Sequence, residues 1–139
     1  MSKTIIHEVV FKNTTPQTLY DLYMNAEKHS HIVGGDATIE DKEGVAFSAH
    51  QGYITGKNLR LVKGKLIVQT WRAQTWKPED EDSIFILALE AKGNDALLTM
   101  THANLPDDGA ASVDKGWHEH YWNPWKQHLA GEQITRPQM

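Results

Sequence analysis

Between Asp36 and Ala103 the chain breaks into short runs of alternating apolar and polar residues, separated by Gly, Asn and Asp at hairpin spacing. This constrains the fold more than any other feature. A parallel crossover needs about a dozen residues or more, so runs joined this closely must be antiparallel neighbours. Six strands are predicted here, near Ala37–Glu40, Val45–His50, Tyr53–Leu61, Leu66–Arg72, Ser83–Glu90 and Ala96–Ala103. Turn chemistry falls at Glu43-Gly44, Gly64 and Gly93-Asn94. The sheet is a meander.

Helical signals flank it. Thr4 to Lys12 reads as a further strand, with Ile5, His7, Val9 and Phe11 on one face. Thr15 then offers an N-cap oxygen, and Pro16 sits at the first helical position, where its missing N–H is harmless. Leu19, Leu22 and Tyr23 give that helix one buried stripe, and Glu27 to Ile32 continues as a short second helix ended by Gly34-Gly35. Beyond Leu105-Pro106-Asp107-Asp108-Gly109 the pattern is helical to about Leu129, with Val113, Trp117, Tyr121 and Trp125 at successive i+4 steps. Pro124 predicts a kink in that helix, and Gly131 to Met139 is expected to fray. The fold class is α+β: a curved antiparallel sheet of about seven strands packed on a long C-terminal helix, with two short helices after the first strand. Without repeats or a linker, residues 1–139 form one domain, with its core at about 4–130 and a tail after it.

Composition removes several function classes. The 14 Lys plus Arg against 18 Asp plus Glu give a formal charge of −4, without the basic excess that a phosphate backbone selects, so nucleic acid is not an expected partner. Cys is absent, which excludes disulfides, thiolate metal sites and cysteine nucleophiles. The longest apolar stretch, Ile84 to Leu89, is too short to span a bilayer, and the N-terminus lacks a signal-peptide pattern. A cytoplasmic protein with no membrane partner is expected, as a monomer or weak homodimer. No phosphate loop, dinucleotide fingerprint or Gly-x-Ser-x-Gly elbow is present, and no cofactor is expected.

Eight His raise the question of a metal. His29-Ser30-His31 and His118-Glu119-His120 have i, i+2 spacing, which on a helix points the rings about 200° apart. They read as solvated surface residues, and no metal site is expected. Glu79 to Asp82 reads as a solvated acidic loop. His50 and His102 end alternating runs, and His102 shares a face with Leu98 and Met100, which points it inward. There it is either a satisfied core residue or a base. Five Trp all lie beyond the midpoint. Trp71 shares a strand face with Ile67 and Gln69, and a helix carrying Trp117, Tyr121 and Trp125 would either fill the space against the sheet or line a pocket there.

The order of elements, together with Thr15-Pro16-Gln17-Thr18-Leu19-Tyr20, Gly52-Tyr53-Ile54-Thr55-Gly56, Leu66-Ile67-Val68-Gln69-Thr70-Trp71-Arg72, Gly116-Trp117, Tyr121-Trp122 and Lys126-Gln127, resembles a known family. It is similar to the C-terminal domain of the activators of heat shock protein 90 ATPase, within the START-like (SRPBCC) helix-grip superfamily. The resemblance runs from about Thr4 to Leu129. It implies a seven-stranded sheet gripping the C-terminal helix around a cavity. Superfamily relatives bind lipids, sterols or other apolar ligands there, and some are enzymes. Activator-like members instead contact the chaperone through their surface. The two-domain activators carry a separate N-terminal chaperone-binding domain, for which 139 residues leave no room.

Three functional readings follow. The first is a non-enzymatic module that binds a small apolar ligand, with Phe47, Trp71, Met100, Trp117 and Tyr121 as lining and His50 and His102 as polar anchors. The second is a reduced co-chaperone that docks on the chaperone. The third is a cyclase- or lyase-type enzyme, which would need a His or carboxylate of shifted pKa inside the cavity.

Overall fold

A computed structural model describes residues 2–136. Six strands, β1 (Ser2–Phe11), β2 (Ala46–Ala49), β3 (Ile54–Val62), β4 (Leu66–Ala73), β5 (Ser83–Lys92) and β6 (Asp95–Pro106), form one sheet. Its order is β1-β6-β5-β4-β3-β2, and every pairing is antiparallel. After β1 come α1 (Pro16–Met24) and α2 (Ala26–Val33), and after β6 the helical segment 110–129. Among the described residues no helix is long and apolar enough to cross a membrane.

Alternation decides which face is inside. On β4 Ile67, Gln69, Trp71 and Ala73 are buried, matched on β5 by Ser83, Phe85, Leu87 and Leu89 and on β6 by Ala96, Leu98, Met100 and His102. The helices cover this face. Thr15 caps α1 by accepting from the backbone N–H of Thr18 at 3.1 Å, and Gly34, left-handed at φ 85°, ends α2.

Two expectations change. Ala37–Glu40 is not a seventh strand: it contributes only an isolated bridge between Thr38 and Ser48. The carbonyls of Glu40 and Lys42 turn instead to the side-chain amide of Asn58, at 2.9 and 3.0 Å, and so leave any ladder. The tail does not fray as far as Arg136. The guanidinium of Arg136 donates to the carbonyls of His31 and Ile32 in the last turn of α2, a favourable place for a cation. Residues 137–139 of the expected tail, and Met1, lie outside the described residues.

The C-terminal helix answers Pro124 with a change of register. It runs as α3 (Ala110–Trp117), one π-helical turn (His118–Trp122) and α4 (Asn123–Leu129). In that turn the N–H of Asn123 reaches back five residues to the carbonyl of His118. A regular helix would rotate Trp122 about 140° away from Trp117. The wider turn removes much of that offset, so Trp117, Tyr121, Trp122 and Trp125 are all buried against the sheet.

Candidate functional site

The register of the sheet sets the first wall of the site. Trp71 on β4 pairs with Ser83 on β5, and Phe85 pairs with His102 on β6. The helix lays Trp117 across them: its ring stacks on Phe85 with centroids 4.7 Å apart and lies 6.2 Å from Trp71. Toward the ends of β3 and β4 the helix and sheet part, leaving a half-open cavity of about 460 Å³. Its walls include Ile54, Trp71, Trp76, Val113, Trp117 and Tyr121, with His50 and His120 at its polar side and Lys77, Asp80 and Asp108 among its charged lining.

Of the seven residues expected at a ligand site, four therefore meet here: His50, Trp71, Trp117 and Tyr121. Phe47, Met100 and His102 share the inner face but lie outside this lining, in the filled core. Alternation identifies the face of a strand. It carries no information on how far along the strand the helix lifts away.

Three hydrogen-bonded chains start from the helix, two reaching the sheet and the third reaching α1 and α2, and donor chemistry fixes each proton. The indole N–H of Trp117 can only donate, so Nδ1 of His102 accepts, at 3.1 Å. Nε2–H of His102 then donates to Ser83 Oγ at 2.7 Å, and that hydroxyl donates to the carbonyl of Trp71 at 2.7 Å. His102 is fully buried and uncharged, because desolvation pushes its pKa down to about 3. Both ring nitrogens are used, so it has nothing left for a ligand.

In the second chain the indole N–H of Trp122 donates to Nδ1 of His7 at 3.0 Å, and His7 Nε2–H donates to Asp114. His118, one helical turn beyond Asp114, stacks on His7 with ring centroids 4.2 Å apart. His7, Asp114 and His118 thus place three metal-ligating groups within 4.8 Å, a cluster hidden from sequence because 107 residues separate His7 from Asp114. The donor set fits a metal poorly. A cation on Nε2 of His7 would leave its remaining ring proton on Nδ1, facing the Trp122 N–H.

The third chain opens on the cavity. Nδ1–H of His29 donates to the carbonyl of Tyr23 at 2.9 Å, and its Nε2 accepts from the Tyr121 hydroxyl at 2.9 Å. The same hydroxyl oxygen accepts from Nε2–H of His50 at 3.0 Å. Burial pushes the pKa of both His29 and His50 down to about 4, with His120 and His29 adding like-charge repulsion at His50. His29 is therefore a core residue, not the surface residue its spacing predicted, because Asn25 caps α2 and turns His29 back toward Tyr23. His120, half-buried at the cavity wall, also departs from the solvated reading.

Residues 13–130 match the family described as Activator of Hsp90 ATPase homolog 1-like protein. The chain belongs to this family. The activator of 90 kDa heat shock protein ATPase homolog of Dictyostelium discoideum is 31% identical over 104 residues, covering 74% of this chain and 27% of that protein. The human activator homolog 1 is 28% identical over 114 residues, covering 82% of this chain and 33% of its own length. The chain thus spans a third or less of these relatives. The crystal structure of an HSP90 activator from Plasmodium falciparum superposes with a TM-score of 0.81 at 23% identity, over 97% of this chain and 99% of that one, which establishes the helix-grip fold.

Proposed function

We propose that this family member is a non-enzymatic module that binds a small apolar molecule in the cavity between the sheet and the C-terminal helix. The observation that carries this reading is the cavity itself, about 460 Å³ and walled by three Trp. Gly116 supports it. A glycine inside a helix costs about 1 kcal/mol relative to alanine. Here a Cβ would meet only His120 Cδ2, at an ordinary 3.8 Å, so the packing does not require glycine, and its effect is to keep the cavity wall clear. A base at His50 is the weaker reading, since an imidazole depressed to about 4 takes up few protons near neutral pH.

The test is calorimetric titration with 2-methoxynaphthalene, paired with thermal unfolding. Binding should raise the melting temperature, by about 2.7 kcal/mol of stability at a hundredfold excess over Kd. Gly116→Leu should intrude on the cavity wall and weaken binding while remaining folded. No binding of either 2-methoxynaphthalene or 2-naphthol to the parent protein, or binding undiminished in Gly116→Leu, would overturn the proposal.

The family and the names of its relatives favour a second reading, contact with a 90 kDa heat shock protein through the surface. Purified chaperone titrated with this protein should form a complex and change its ATPase rate. No complex at about tens of micromolar removes that reading.

A further inference from the structure

We propose that the His50 side of the cavity selects an uncharged hydrogen-bond donor: the ligand is an apolar molecule whose hydroxyl group donates to Nδ1 of His50, and a carboxylate in that position is rejected. This rests on the cavity being a ligand site and names the chemistry that site accepts.

The inference follows from a proton assignment with one solution. The carbonyl of Tyr23 can only accept, so the proton of a neutral His29 ring lies on Nδ1. That ring is 1% exposed and has only a carbonyl and a phenol as hydrogen-bond partners, neither of which supports a charge. Its Nε2 is then a bare lone pair, and the Tyr121 hydroxyl must donate to it. The oxygen of Tyr121 is left to accept, so His50 must hold its proton on Nε2. The lone pair of His50 lies on Nδ1.

No described residue donates to that atom. Nor is it sealed in the core, because the one buried side-chain polar atom without a partner among the described residues is Nε1 of Trp125. Nδ1 of His50 is thus an open acceptor on a ring that lines the cavity. The backbone holds the ring there under strain. His50 and Gln51 adopt left-handed φ values of 54° and 59°, and a Cβ on Gly35 would meet the His50 Cα at an ordinary 3.4 Å.

Charge reinforces the choice. Asp80 and Asp108 outnumber Lys77 in the lining, and the exposed run Glu79, Glu81 and Asp82 surrounds Asp80. The guanidinium of Arg72, the residue after Trp71 on β4, is committed to Asp82 and to the carbonyls of Lys77 and Asp80. A carboxylate ligand would therefore set its lone pairs against that of His50 and enter past a net negative rim. A hydroxyl meets neither obstacle.

The experiment compares 2-naphthol, 2-methoxynaphthalene and 2-naphthoate by titration calorimetry at pH 7. The naphthol should bind about ten-fold or more tighter than the methyl ether, which has the same ring but no donor, and the naphthoate should bind most weakly. In His50→Phe the naphthol and the ether should bind within about three-fold of each other, with the ether little changed. Tyr121→Phe, which removes the acceptor that fixes the His50 tautomer, should also narrow the preference, and it serves should His50→Phe fail to fold. Equal binding of naphthol and ether, a tighter naphthoate, or a preference that survives both substitutions would overturn the inference and leave the cavity reading intact. Absence of binding by all three would remove both.

Discussion

Acidification from pH 7 to pH 5 should destabilise this protein. His29, His50 and His102 are held neutral by burial, with folded pKa values pushed down to about 4, 4 and 3. In the unfolded chain each returns to about 6.5. Above that value both states hold neutral rings, and these residues contribute no pH dependence. As the pH falls below it, the unfolded chain binds protons that the folded chain refuses, so stability drops until the folded values are passed. Between pH 7 and pH 5 each ring contributes a loss of about 2 kcal/mol, or about 6 kcal/mol for the three. His118 and His120, also shifted down by partial burial, act in the same direction. Glu43 and Asp95, whose pKa values are lowered mainly by backbone N–H donors, lose their contribution only at lower pH.

Against a typical total of about 5–15 kcal/mol, a loss of about 6 is close to unfolding. Urea denaturation followed by tryptophan fluorescence at pH 7, 6 and 5 measures it directly. His102→Phe separates titration from packing. It strands the Trp117 N–H and is less stable at pH 7, yet its loss from pH 7 to pH 5 should be about 4 rather than about 6 kcal/mol. A parent protein whose stability changes by less than about 1 kcal/mol over this range, or a His102→Phe variant with an undiminished pH slope, would refute the reasoning.

Two further outcomes are expected. Ser83→Ala removes both the acceptor of His102 Nε2–H and a donor to the Trp71 carbonyl; it should cost about 2–3 kcal/mol, read as a lower urea midpoint at unchanged slope. Gly56→Ala should cost about 3 kcal/mol or more, because its Cβ would lie 1.9 Å from the Thr70 carbonyl oxygen and 2.5 Å from Phe47, and thermal unfolding of the purified variant checks this.

What was legible in the sequence followed from local periodicity. Alternation placed Ile67, Gln69 and Trp71 on one face, the i+4 stripe placed Trp117, Tyr121 and Trp125 inside, and Thr15 and Gly34 marked helix ends correctly. What stayed hidden depends on long-range fit. The π turn is a change of hydrogen-bond register, and without it Trp122 reads as facing away from the stripe. The burial of His29 depends on Tyr121, 92 residues later. The same limit explains why Met100 and His102, on the correct face, sit in solid core while Trp76, from a polar loop, walls the cavity.

The three chains from the helix differ in how they end, and that difference supports the proposed site. The Trp117 chain closes on a backbone carbonyl, and every group in it is satisfied inside the core. The Trp122 chain passes through His7 to the exposed carboxylate of Asp114, which water can solvate. The Tyr121 chain begins on the carbonyl of Tyr23 and ends on an imidazole lone pair at the cavity wall. An acceptor in a part-buried apolar surround is satisfied only by a donor that comes to it, either water or a ligand. Water can meet it too, since His120 and the charged lining offer further polar partners, but water leaves the tryptophan, tyrosine and aliphatic part of the wall unpacked. A molecule that brings one hydroxyl and otherwise apolar surface meets both demands of the wall at once, which neither water nor an anion can do.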